Sequence, residues 1–435
     1  MLEDRPCLIS RGYSRTCERD NNWTCMNYRV DKRPLEIDGD EEHGVRKLSK
    51  QSAARENVEL TLTLRHASGN QRHASGNQRH AGDNSDSDSL INPIGRDNSI
   101  SCLIGLSRSD YGSVASLNRS FRSLIRSGEL YRLRRQNGVI EHWVYFSCRL
   151  LEWEAFDPNR RRWMRLPVMP SNDCFMCSDK ESLAVGTELL VFGKEMMSHV
   201  IYRYSILTNS WSSGMRMNAP RCLFGSASLG EKAILAGGCD SEGRILSSAE
   251  LYNSETGTWE TLPNMHKPRK MCSGVFMDGK FYVIGGIGGS DSKLLMCGEE
   301  FNLETRRWTE IPDMYPVHRE VEMPAAAEAP PLVAVVQDEL YAADYAHMEL
   351  RKFEKDTRVW VTIGRLPERA GSMNGWGLAF RACGDQLIVI GGPRALGEGF
   401  IEVNSWVPSE GPPQWNLLAR KQTGNFVYNC AVMGC

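Results

Sequence analysis

Nowhere do these 435 residues hold an apolar run long enough to cross a bilayer as a helix. Excess charge is missing too: the formal net charge is −2, so no global field points to nucleic acid or to an anionic membrane. The 14 cysteines show no framework spacing, and the opening Met1-Leu2-Glu3-Asp4-Arg5-Pro6 lacks the character of a secretory leader. These absences predict a soluble protein of a reducing compartment, the nucleus or the cytoplasm. Large apolar residues vanish from one stretch altogether. From Arg65 to Ser89 there is no Val, Ile, Leu, Phe, Tyr or Trp, and such a segment cannot bury enough surface to offset its ordering entropy. Residues 1–88 are therefore expected to form a disordered low-complexity segment. The heptapeptide at 65–71 recurs at 72–78, which repeats His66 as His73 and then His80. We read this as a duplicated tract rather than a metal site.

What is abundant is periodic. Trp163, Trp211, Trp259, Trp308, Trp360 and Trp415 are separated by 48, 48, 49, 52 and 55 residues, a spacing that marks repeat architectures. An aromatic residue precedes the first five by seven positions, at Phe156, Tyr204, Tyr252, Phe301 and Phe353. Short apolar runs ending in glycine pairs stand upstream: Ala233–Ala236 before Gly237-Gly238, Phe281–Ile284 before Gly285-Gly286, Leu387–Ile390 before Gly391-Gly392. Phe192-Gly193 and Ala342-Ala343-Asp344 are degenerate versions of the same corner. With a turn signal before each run, every unit reads as four short antiparallel strands.

Units of this kind are propeller blades, and the glycine pair, aromatic residue and tryptophan resemble the kelch repeat. The resemblance implies a mainly β fold, a six-bladed kelch β-propeller over 141–435. Its blades fall near 141–170, 174–218, 222–266, 270–315, 331–367 and 376–419. The first unit lacks its leading strand and the chain ends in a spare one, so strand 426–434 is expected to close blade one.

Between the N-terminal segment and the propeller, residues 89–136 read as a small three-helix domain. Asp97 is placed to cap a helix carrying Ile100, Leu103 and Ile104, and Ser109 or Asp110 a second with Val114, Leu117, Phe121 and Leu124 on one face. Glu129–Gln136 makes the third. So small a block cannot hold a core alone; it docks on the propeller or on a partner. The run Ser116–Ile125 and its continuation Glu129–Arg135 into Glu141–Tyr145 resemble the F-box end and junction of plant F-box/kelch-repeat proteins. Its opening differs from the usual box, with Pro93 displaced from the position after Leu90 and no proline in Leu106–Tyr111.

The resemblance implies a non-catalytic subunit of a ubiquitin ligase. The box would dock on a Skp-type adaptor, and through it on a cullin, while the propeller holds a target protein. It implies no cofactor and no metal. Adaptor contact is assigned to Leu90, Ile94, Ile100, Leu103, Leu106, Val114 and Leu117, with packing within the box or against blade one as the alternative for each. Arg221, Arg269, Arg319 and Arg369 stand nine to eleven residues after four of the tryptophans. They should therefore share one rim, suited to gripping carboxylates or phosphates of a target. The alternative is a turn arginine that hydrogen-bonds backbone carbonyls.

Two other readings stay open. The displaced prolines suit a kelch scaffold without ligase function. Some kelch-like propellers are copper-radical oxidases, but the histidines here are dispersed and only His266 and His318 share a rim. Cys174 and Cys177 form the sole Cys-x-x-Cys pair, with no second pair to complete a zinc site. Gly285–Gly289 lacks dinucleotide spacing.

Overall fold

The computed structural model describes residues 90–435, apart from residues 92, 150, 178–179, 197, 290–292, 317–328, 370–374, 393–398 and 425. The expectation of disorder over 1–88 lies outside the described residues.

The tryptophan register sets the blades. Trp163, Trp211, Trp259, Trp308 and Trp360 each stand on the fourth strand directly opposite the aromatic residue of the third. Ring centroids within these pairs lie 4.6, 5.4, 4.8, 4.9 and 5.2 Å apart, the spacing of favourable tilted aromatic contacts. The turn joining the two strands has its own chemistry. The residue two before each tryptophan, at Arg161, Asn209, Gly257, Arg306 and Arg358, is left-handed, with φ between 49° and 66°. Asp157, Asn253 and Asn302 accept backbone N–H bonds from the turn that follows them, the Asx geometry that starts such turns.

The result is a six-bladed propeller of antiparallel sheets. Five blades have four strands, and blade two has five because Phe175–Met176 adds to the far end of its second strand, Glu188–Glu195. Blade four carries an additional two-residue hairpin, Ile287–Gly288 with Lys293–Leu294. The ring closes through the C-terminal strand Asn429–Gly434, which takes the innermost position of blade one against His142–Arg149. Between neighbouring sheets lie separate buried clusters, such as Ile234, Phe281, Phe301 and Trp308 between blades three and four.

Ahead of the ring come four short helices rather than three: α1 Gly95–Ile104, α2 Tyr111–Leu117, α3 Arg119–Arg126 and α4 Glu129–Gln136. The expected second helix is broken at Asn118, which adopts an extended conformation (φ −157°, ψ 177°). Its side chain accepts the Phe121 N–H at 2.9 Å, so it caps α3. Asp97 lies inside the first turn of α1, and the residue at the cap position, Ile94, offers no side-chain bond.

Candidate protein-docking surfaces

The helical block has a buried side and an open side, and the assigned adaptor residues divide between them. Leu90, Ile100 and Leu103 are buried, in one apolar cluster with Tyr111, Phe121, Leu124, Leu130 and Tyr131 and with Trp143, Tyr145, Trp153 and Tyr204 of blades one and two. These three side chains hold the block to the propeller and to itself. Val114 is half-buried against the same cluster. Ile94, Leu106 and Leu117 are exposed, Leu117 to 70 %. On the open side, α1 is tied to α4 by a two-pronged Arg96–Glu129 pair at 3.0 and 2.8 Å.

Sequence reasoning missed the polar joint beneath. Arg134 has a fully buried side chain; it donates to the Ile104 carbonyl at 2.9 Å, to the Leu106 carbonyl, to the Tyr111 hydroxyl at 3.1 Å and to Glu141 at 3.1 Å. Arg108 donates to the Glu141 carbonyl at 3.1 Å and the Tyr145 hydroxyl at 3.0 Å, and stacks 4.7 Å from the Trp143 ring centroid. Ser107 and the Arg108 N–H both bond the Glu141 carboxylate. Glu141 thus serves two arginines, and its backbone exchanges two bonds with Cys435, the end of the closing strand. No sequence signal marked it: Arg108 stands between two serines, and Arg134 between Leu133 and another arginine, Arg135.

Where the block sits follows from its contacts. Arg135 pairs with Glu231 in a first-to-second-strand turn, Gly128 abuts Leu207 in a third-to-fourth-strand turn, and Arg160 of another such turn donates to Ser109 at 3.1 Å. All lie on the propeller face formed by the short turns. The opposite face carries the second-to-third-strand loops and the connections between blades. There a cavity of about 340 Å³ runs into the ring centre, lined by the innermost strands. At its mouth Lys180 donates to the Leu378 carbonyl at 2.6 Å and lies 6.0 Å from the Trp376 ring centroid.

The arginine rim expected on that loop face is not a free one. Arg221 and Arg269 have side chains with no solvent exposure. Arg221 donates to the Gly237 carbonyl at 3.2 Å, the Ser248 carbonyl at 2.6 Å and Glu250 at 2.7 Å. Arg269 repeats the set with Gly285 at 2.9 Å, Cys297 at 3.1 Å and Glu299 at 2.7 Å. Burial lowers the Arg221 pKa, against which Glu250 acts. Arg369 is 7 % exposed and bonds Glu402 at 3.3 Å and Asn404. Arg319 lies outside the described residues. Arg221 and Arg269 bind backbone carbonyls, as a turn arginine would, and a target would have to displace a buried glutamate to reach either of them. The missing half of the pattern is legible: Glu250 and Glu299 each stand two residues before the blade aromatic.

Among the described residues no three His, Cys, Asp or Glu side chains converge as metal ligands. The His266 ring is occupied, its Nε2 3.0 Å from the Trp308 carbonyl, and the backbone N–H of the same residue donates to Glu299.

The Kelch motif model matches residues 220–266 and 268–315, the two segments that hold the Arg221–Glu250 and Arg269–Glu299 pairs. The chain is similar to the F-box/kelch-repeat protein SKIP11 of Arabidopsis thaliana, 73 % identical over 358 residues that cover 81 % of this chain and 77 % of that protein. It is also similar to the F-box/kelch-repeat protein At1g74510 of the same plant, 57 % identical over 100 % of both chains.

Proposed function

This chain belongs to the plant F-box/kelch-repeat family, and from that premise we propose that it is the substrate-recognition subunit of a Skp–cullin–F-box ubiquitin ligase, acting in the nucleus or cytoplasm. The observation that carries the reading is the two-faced geometry. The helical block is seated on the turn face of the ring and leaves Ile94, Leu106 and Leu117 uncovered, while the loop face and central cavity open on the other side. A target held on the loop face is then positioned relative to the adaptor by a joint built from buried charges and not by a loose linker. The chain contributes no catalytic group; it raises the target's effective concentration at the charged conjugating enzyme.

The test is capture of purified Skp-type adaptor by the full chain. Leu106→Asp with Leu117→Asp places charges on exposed positions, so the fold survives while an apolar contact is lost; binding weakened at least about tenfold supports the reading. Leu103→Asp would not serve, because that side chain is buried in the block. A folded wild-type chain that captures no adaptor turns the reading to a kelch scaffold, the outcome favoured by the displaced Pro93.

A further inference from the structure

We infer that Cys222 and Cys239 are an oxidative modification site, a thiol pair set to close into a disulfide on the loop face of blade three. Their Sγ atoms lie 3.5 Å apart. The backbone around them is already in place: the Cys222 N–H donates to the Cys239 carbonyl at 3.0 Å and the Cys239 N–H to the Cys222 carbonyl at 2.8 Å. The two residues are thus a hydrogen-bonded antiparallel pair, whose Cα separation of about 5.5 Å falls at the commonest value for disulfides. Blade four forms the same bridge between Lys270 and Ile287, with bonds of 2.9 and 2.7 Å. Sulfur is therefore not needed to hold the corner, and the cysteines add a capacity that the neighbouring blade does without.

Both residues are nearly out of solvent, 4 % and 2 % exposed, so the oxidant the site admits is small: a peroxide. One thiolate attacks a peroxide oxygen and becomes a sulfenic acid as water leaves. The second thiolate attacks that sulfur, the S–S bond forms, and a second water carries off the oxygen. The balance is two thiols and one hydrogen peroxide to one disulfide and two waters. The crosslink fastens the connection from blade two to the loop that follows Gly237-Gly238. In that loop, Cys239 also bridges Ile245 and the exposed Arg244 pairs with Asp240.

The experiment treats the native full chain with hydrogen peroxide, unfolds it without reductant, alkylates remaining thiols and digests with trypsin. Cleavage at Arg221, Lys232 and Arg244 puts the two cysteines on separate peptides, so the disulfide is read directly as a linked pair that reductant separates. The expected result is that this pair appears before any other pairing, and that tryptic nicking after Arg244 in the folded oxidised chain slows several-fold. Cys239→Ala, checked for retained fold, should abolish both effects. Recovery of Cys222 and Cys239 as separately alkylated peptides, or as sulfinic acids, from a chain whose exposed Cys102 and Cys174 have been oxidised would overturn the proposal.

Discussion

Blades four and five solve the same corner in opposite ways. In blade four a buried arginine, Arg269, reaches a buried glutamate, Glu299, and two carbonyls behind a glycine pair. In blade five the position two before the aromatic holds Arg351 instead of glutamate; it donates to the Pro316 carbonyl at 2.9 Å and to Glu349 at 3.1 Å, with its side chain 16 % exposed. Yet the opposed Phe301–Trp308 and Phe353–Trp360 pairs are nearly superposable in spacing, 4.9 and 5.2 Å. The opposed aromatic pair is thus common to both blades, whereas the arginine clamp is a separate device present in one of them.

The largest effect should come from breaking the clamp itself. Arg269→Ala leaves Glu299 buried without its partner and should cost about 3–5 kcal/mol. Arg351→Ala frees the Glu349 carboxylate to turn to water and removes only a long 4.0 Å contact from the buried Asp344, so it should cost less, about 1–2 kcal/mol. Urea denaturation of the full chain compares the two, and equal losses would refute the distinction between clamp and ordinary ion pair. The glycine pair gives the next largest contrast. Gly286 has φ 95°, and a Cβ there would stand 2.7 Å from the Lys270 carbonyl oxygen, so Gly286→Ala strains backbone against backbone and should cost more than about 2 kcal/mol. In blade six Gly391 is not left-handed, and its Cβ would meet a leucine side chain, Leu378. Gly391→Ala should cost about 1 kcal/mol, since a leucine methyl can move.

That contrast shows what could be read from sequence and what could not. The tryptophans gave the blades, because a large side chain that must face one aromatic partner leaves a period in the chain. The glycine pairs looked alike at 237–238, 285–286 and 391–392, but only the first two are left-handed at both positions; φ depends on what the corner is bonded to, which spacing does not record. The arginines had the right period and the wrong destination. Periodicity told that Arg221 and Arg269 share a face, and only the position of Glu250 and Glu299 told that they turn inward. In the helical block, the apolar spacing across Val114, Leu117, Phe121 and Leu124 suggested one helix. Asn118 overrode it, because its carboxamide binds a backbone N–H better outside the helix than within. Which apolar residues stayed exposed was not legible, since the propeller covers one side of the block through contacts that lie outside any local spacing, such as Ser109 with Arg160 and Arg135 with Glu231.

A smaller effect sharpens the same pair of blades. Trp308 donates its Nε1–H to the Pro263 carbonyl of the preceding blade connection at 2.7 Å, and Trp211, Trp259 and Trp415 make the equivalent bond. The Trp360 Nε1 is buried with no partner among the described residues. Trp308→Phe loses apolar contact and also a hydrogen bond, whereas Trp360→Phe loses apolar contact and relieves an unpaired donor. The first should exceed the second by about 1–2 kcal/mol, measured as the difference in denaturation midpoint times slope. A reversed order would mean that Trp360 finds a partner through water.

The last contrast lies in blade two, whose corner has neither clamp nor glycine pair and carries a half-buried histidine instead. At the end of its second-to-third-strand hairpin His199 stands opposite Lys194. Burial, with the Lys194 charge beside it, lowers its pKa from 6.5 to about 4, and Asp240 opposes the shift. Because the folded pKa is below the unfolded one, the unfolded chain binds more protons between these values, and stability falls as pH falls. The contribution is whole above about pH 6.5, erodes through the window and is gone below about pH 4. Acid titrates carboxylates as well, so the useful quantity is the difference between the native chain and His199→Gln. The native chain should lose more stability from pH 7 to pH 4.5, and the gap should stop widening below pH 4. Parallel curves would mean that His199 reaches water freely, which would make the blade-two corner the loosest of the loop face and not merely its most acid-sensitive.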